Sequence, residues 1–144
     1  MQYQMNLENI KDVAQKILYE IRERKVDKRA TVLALEGDLG AGKTHLTKEI
    51  GNILGVEEEI NSPTFVVMKM YETKDKDFLH LVHIDAYRLE EKDKDNLKLE
   101  EIFSRENTLV VVEWPEIIKN VLPENRIKVS IQHLEEEERL VNID

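Results

Sequence analysis

Eight consecutive residues, Gly37-Asp38-Leu39-Gly40-Ala41-Gly42-Lys43-Thr44, fit the pattern G-x-x-x-x-G-K-[ST]. Three of the chain's five glycines fall within six positions here. Glycines at this spacing let backbone N–H groups turn inward around a phosphate. A helix opening directly behind them adds the positive end of its dipole. The Lys43 ammonium is then placed to reach β- and γ-phosphates, and the Thr44 hydroxyl to ligate Mg²⁺. Mg²⁺ also takes one or two carboxylates. Asp85 follows the apolar run Leu81-Val82-His83-Ile84, and Glu113 follows Leu109-Val110-Val111-Val112. Each closes a predicted strand, so both should stand on the sheet edge that carries the phosphate loop. The chemistry these residues could do is binding and cleavage of a nucleoside triphosphate.

Two further segments surround that group. His83-Ile84-Asp85-Ala86-Tyr87-Arg88 concentrates polar and aromatic side chains. In extended chain His83 and Asp85 share a face, and Tyr87 joins them if the strand continues. His83 either orients Asp85 or serves as a structural histidine bonded to backbone. Tyr87 reads as core, and Arg88 as a partner for a carboxylate or a transferring phosphoryl group. Ser62-Pro63-Thr64-Phe65 reads as a turn. Beside a nucleotide its hydroxyls could sense the γ-phosphate as a switch.

The elements that must position these groups follow from periodicity. Leu7, Ile10, Val13, Ala14, Ile17, Leu18 and Ile21 recur at helical spacing, which predicts a helix over 7–24 with Asn6 as N-cap. Thr31–Glu36 is a nearly continuous apolar run, as a strand buried on both faces requires. Leu46, Ile50, Ile53 and Leu54 resume helical spacing, and Gly55 suits the helix end. Strands are predicted over Thr64–Tyr71, Phe78–Ile84, Leu109–Val112, Arg126–Leu134 and Arg139–Ile143, and a helix over Leu97–Ser104. Glu72–Asp77 and Glu90–Asp95 read as solvated surface, and Glu135–Glu138 as a hairpin turn. Helices alternating with apolar strands predict an α/β three-layer sandwich, with a mixed, mainly parallel sheet flanked by helices. In such folds ligands lie at the carboxyl ends of the strands.

With 144 residues, the chain is expected to form one domain. It has no cysteine, so disulfides and thiolate chemistry are excluded. No apolar stretch is long enough to cross a membrane and no leader is evident, which predicts a cytoplasmic protein without membrane partners. The formal charge is −9, from 21 basic and 30 acidic residues. Such a surface repels RNA, so direct nucleic-acid binding is disfavoured.

Taken in order, GDLGAGKT (37–44), NSPTF (61–65), HIDAYR (83–88) and VVEWPE (111–116) closely resemble the TsaE family, P-loop ATPases of tRNA threonylcarbamoyladenosine biosynthesis. The resemblance spans about residues 7–143 and implies a P-loop NTPase-like fold. It implies binding and hydrolysis of ATP with Mg²⁺, beside the TsaD and TsaB proteins. Those partners install threonylcarbamoyl on the adenosine next to the anticodon of ANN-reading tRNAs, so tRNA is met only through the complex. Carried over by motif, Gly37, Asp38, Leu39, Gly40, Ala41, Gly42, Lys43 and Thr44 hold the phosphates, and Lys43 also serves catalysis. Thr44 takes the metal, Asp85 contacts the nucleotide or its metal, and Glu113 ligates Mg²⁺ or polarises water, which makes Asp85 and Glu113 catalytic. Trp114 flanks the nucleotide, and Ser62 and Thr64 form the switch. The chain departs from the family pattern at His45, where a second Thr is usual and the backbone N–H remains to bind phosphate. It departs again at Ile10, where a Thr is usual, and at Glu135–Glu138, where a Gly is usual.

Other functions are weaker readings. A small-molecule P-loop kinase is the alternative, but the seven arginines are scattered and form no Arg-rich lid. A GTP switch lacks an N-K-x-D motif anywhere in the chain.

Overall fold

The apolar runs become strands of one seven-stranded sheet. The computed structural model describes residues 1–38, 40–60, 67–90, 93 and 98–144. Leu39, Ser62, Thr64 and Leu97 lie outside the described residues, as do the first positions of the strand predicted from Thr64 and most of Glu90–Asp95.

In chain order the strands are β1 (Gln2–Met5), β2 (Thr31–Glu36), β3 (Met68–Glu72), β4 (His80–Asp85), β5 (Thr108–Glu113), β6 (Ile127–His133) and β7 (Arg139–Ile143). Among the described residues the helices are α1 (Ile10–Glu23), α2 (Lys43–Leu54) and the short α3 (Leu99–Phe103), with 3₁₀ turns at Ala86–Arg88 and Pro115–Ile118. The sheet order is β1-β7-β6-β2-β5-β4-β3. The four central strands β6, β2, β5 and β4 run parallel, and β1, β7 and β3 add antiparallel edges. The predicted mixed sheet and flanking helices are borne out.

Alternation along each strand sorts its side chains onto two faces. Leu33, Leu35, Leu81, Leu109 and Val111 pack with the apolar stripes of α1 and α2. Val32, Val82, Ile84, Val110 and Val112 pack with Leu99, Ile102 and Phe103 of α3 and with Ile118. The central strands are buried on both faces, which is why TVLALE and TLVVVE carry so few polar residues. Among the described residues no helix is long and apolar enough to cross a membrane.

Several boundaries move. α1 starts at Ile10 rather than near Leu7, which is 63% exposed. The N-cap is Asn9, without a side-chain cap bond, and not Asn6, whose Oδ1 instead accepts the amides of Glu8 (2.9 Å) and Asn9 (3.0 Å), forming a turn ahead of the helix. β4 starts at His80, because Phe78 belongs to a turn. That turn overturns the reading of Glu72–Asp77 as plain solvated loop. Asp75 accepts the amides of Asp77 and Phe78, both at 3.0 Å, and Arg22 of α1 grips Asp75 at 2.6 and 2.9 Å. α2 ends where Gly55 adopts the left-handed conformation, as its type predicts.

Candidate functional site

β2 lies at the centre of the parallel strands, so the loop leaving its carboxyl end opens over the middle of the sheet. Gly42 precedes α2 with φ 103°, which an L side chain rarely adopts. A Cβ there would meet nothing within 4 Å, so the backbone conformation rather than crowding demands glycine. Gly37 is demanded by contact: a Cβ would lie 2.7 Å from the Ile131 carbonyl oxygen of β6. The loop is further held by Arg139 of β7, whose Nε donates to the Ala41 carbonyl at 3.2 Å. The first amides of α2 have no partner within the helix. A phosphate supplies one.

Register brings the carboxylates to the same edge. Glu113 of β5 is in register with Leu35 of β2 on one side and Asp85 of β4 on the other. Both carboxylates are buried, Asp85 to 7% and Glu113 to 4% exposure. The Thr44 hydroxyl lies 3.1 and 3.3 Å from the two Glu113 carboxylate oxygens. That is longer than the roughly 2.5–2.7 Å of a tight O–H···O⁻ bond. A hydroxyl and a carboxylate so close, yet loosely joined, form an oxygen donor pair of the kind Mg²⁺ takes. Among the described residues no three His, Asp or Glu side chains are grouped to hold a metal. A cation held by Thr44 and Glu113 would take the rest of its shell from outside the protein.

Lys43 is only 5% exposed. Its Nζ donates to the Gly37 carbonyl and lies 3.7 Å from the Trp114 ring centroid. Burial lowers its pKa, and Glu113, Glu116, Asp85 and Asp38 act in the opposite sense. Trp114 itself sits at φ 59°, with its ring centroid 5.0 Å from that of Tyr87 and the two planes tilted by 42°.

Gly40, Ala41, Gly42, Lys43, Thr44, His45, Asp85, Tyr87, Arg88, Glu113 and Trp114 line one cleft of about 510 Å³. This falls within the roughly 300–1,000 Å³ usual for ligand sites. Sequence-predicted residues from three separate segments therefore converge. Leu39, Ser62 and Thr64 lie outside the described residues. Two expectations are corrected. Tyr87 is not core but 53% exposed, because the 3₁₀ turn at Ala86–Arg88 ends the extended alternation. His83 contacts Glu113 through Nε2, not Asp85. Asp85 instead accepts the Tyr87 amide at 3.2 Å and caps that turn.

A second cavity of about 230 Å³ lies on the other flank of the phosphate loop, lined by Met5, Leu7, Ile10, His45, Arg139 and their neighbours. Sequence reasoning missed it. Arg139 and Met5 carry no motif, and only the pairing of β1 with β7 brings them beside Gly40–Gly42.

The family model for "Threonylcarbamoyl adenosine biosynthesis protein TsaE" matches residues 4–141. A Bacillus subtilis tRNA threonylcarbamoyladenosine biosynthesis protein TsaE is 41% identical over 78% of this chain and 68% of its own length. A Rickettsia bellii protein of the same description is 39% identical over 78% and 76% respectively. The crystal structure of Bacillus subtilis YdiB superposes with a TM-score of 0.74 at 30% identity, covering 99% of this chain and 83% of that one.

Proposed function

The chain belongs to the TsaE family of threonylcarbamoyl adenosine biosynthesis proteins, and we propose that it binds ATP with Mg²⁺ in this cleft and hydrolyses it. The hydrolysis serves the TsaD and TsaB proteins, which modify the adenosine beside the anticodon of ANN-reading tRNAs. The observation that carries this reading is the meeting of Thr44 and Glu113, beside Asp85, at the mouth of the phosphate loop.

The roles follow from position. Loop and helix amides bind phosphate oxygens, and the cavity beside Ile10 and Arg139 takes the adenine. Lys43 leaves the Gly37 carbonyl and the Trp114 face to neutralise charge on the β- and γ-phosphates. Trp114 and Tyr87 wall the cleft and keep water from the phosphates. Thr44 and Glu113 hold Mg²⁺, which when bound withdraws charge from the phosphate oxygens. Asp85 and Glu113 orient the attacking water and act mainly in the transition state.

The test is calorimetric titration of Mg·ATP into the wild type and Lys43→Ala. The loss of a charge-assisted phosphate contact is expected to weaken binding by about 1.5–3 kcal/mol or more. Unchanged affinity in a folded variant contradicts the site.

A further inference from the structure

The roles given above leave the buried imidazole of His83 without a task. His83 is 0% exposed, on β4, in register with Val111 of β5 and Lys69 of β3. Its Nδ1 has no hydrogen-bond partner among the described residues. A buried ring nitrogen without a partner is unfavourable, so packing alone would favour an apolar side chain here. What the imidazole contributes is the hydrogen bond from Nε2 to Oε2 of Glu113, made entirely inside the protein. Thr44 meets the same carboxylate, its hydroxyl 3.1 Å from that oxygen, Oε2, and 3.3 Å from Oε1. Glu113 is thus held between a side chain fixed in the sheet and one at the start of α2.

We propose that His83 is a positioning residue: its Nε2 anchors one Glu113 oxygen so that the carboxylate stays aimed at Thr44 and the cation corner of the cleft. The inference rests on Glu113 being the Mg²⁺-side carboxylate. A glutamate has three side-chain torsions, and an unanchored one must be ordered each time the cation binds. Hydrogen-bonded groups behind a metal-binding carboxylate typically change metal affinity or activity by about 10–100-fold when removed.

The two ring nitrogens supply a discriminating test. Gln places an amide N–H near the position of Nε2, whereas Asn reaches only that of Nδ1. The Mg²⁺ concentration for half-maximal ATP hydrolysis is measured for the wild type, His83→Gln, His83→Asn and His83→Phe. ATP binding without Mg²⁺ is measured alongside. The Gln variant is expected within about three-fold of the wild type, and Asn and Phe shifted upward about 10–100-fold, with Mg²⁺-free ATP binding unchanged in all. Asn or Phe variants with wild-type Mg²⁺ dependence overturn the proposal, as does a parallel loss of Mg²⁺-free binding and thermal stability with no Mg²⁺ shift. Glu113→Gln runs beside them. If it shifts the Mg²⁺ dependence and His83→Phe does not, only the positioning role falls. If Glu113→Gln itself changes nothing, the reading of Glu113 falls and takes this inference with it. Should the His83 variants not fold, ¹⁵N resonances of the His83 ring in the intact protein serve instead. Adding Mg²⁺ to the ATP complex is expected to move the Nε2 signal, and a static signal overturns the proposal.

Discussion

Lys43 is occupied twice before any nucleotide arrives, by the Gly37 carbonyl and by the face of Trp114. Phosphate must draw the ammonium away from both. Trp114 is the chain's one tryptophan, so indole emission reports on this one position. Saturating ATP is expected to change that emission, and Lys43→Met, which removes the ammonium, to change it without nucleotide. Constant emission at an ATP concentration that calorimetry shows to be saturating contradicts the movement of Lys43. Most of the group around Lys43 is legible in the sequence. The glycine spacing names the loop, and strand-ending Asp85 and Glu113 name the carboxylates. The His83–Glu113 bond is not legible. It joins residues 30 positions apart on adjacent strands, and only the parallel register of β4 and β5 creates it. Tyr87 misleads for the opposite reason: alternation predicts its face only while the chain stays extended.

At the scale of elements, the Arg22–Asp75 contact ties α1 to the turn between β3 and β4, which positions the strand bearing Asp85. Arg22 is gripped by two carboxylates, with Asp77 at 2.9 Å as well. The Arg22 hydrogen bond holds the Asp75 carboxyl below its ordinary value, helped by the amides of Phe78 and Asp77 and opposed by partial burial. A carboxylate depressed in the folded state stabilises the fold above its unfolded pKa, and that contribution is lost as pH falls. Asp75→Asn is therefore expected to cost about 1–3 kcal/mol near neutral pH. The deficit against wild type should shrink below about pH 4, where the unfolded chain's aspartate takes up its proton. Thermal melts of both proteins from neutral to acid pH check this, and a pH-independent deficit contradicts it. This turn and β1 are the elements the sequence conceals. Glu72–Asp77 is polar enough to pass for free loop, and Arg22 sits on a helix far away in sequence. In β1 only Met5 is buried, so QYQM shows no apolar run. It is a strand because β7 offers a free edge. The long apolar strands and both long helices, by contrast, announce themselves, because burial on one or two faces dictates their composition.

The molecule as a whole combines a phosphate cleft with a formal charge of −9. The phosphate binding proposed here is compatible with that charge, because it rests on local amides and Lys43 and not on the summed field. Long-range attraction to a tRNA backbone does not survive it. A partner with a basic face suits this surface better, and can carry the RNA. Tyr87 and Arg88 stand exposed at the lip of the cleft. A partner docked there would touch the walls of the cleft and bias them. The mixed α/β class is legible from the alternation of elements, but the strand order is not, since each crossover is decided by packing of helices onto the finished sheet. The central claim is that the cleft hydrolyses ATP in the service of a tRNA-modifying assembly. It is tested most directly by ATP turnover of the purified chain alone, with TsaD and TsaB, and with tRNA added, for the wild type, Asp85→Ala and Glu113→Gln. The account predicts slow turnover alone, faster turnover with the partners, and loss of turnover in both variants while ATP is still bound. Full turnover by the isolated chain that partners do not change, or wild-type turnover in both variants, contradicts it.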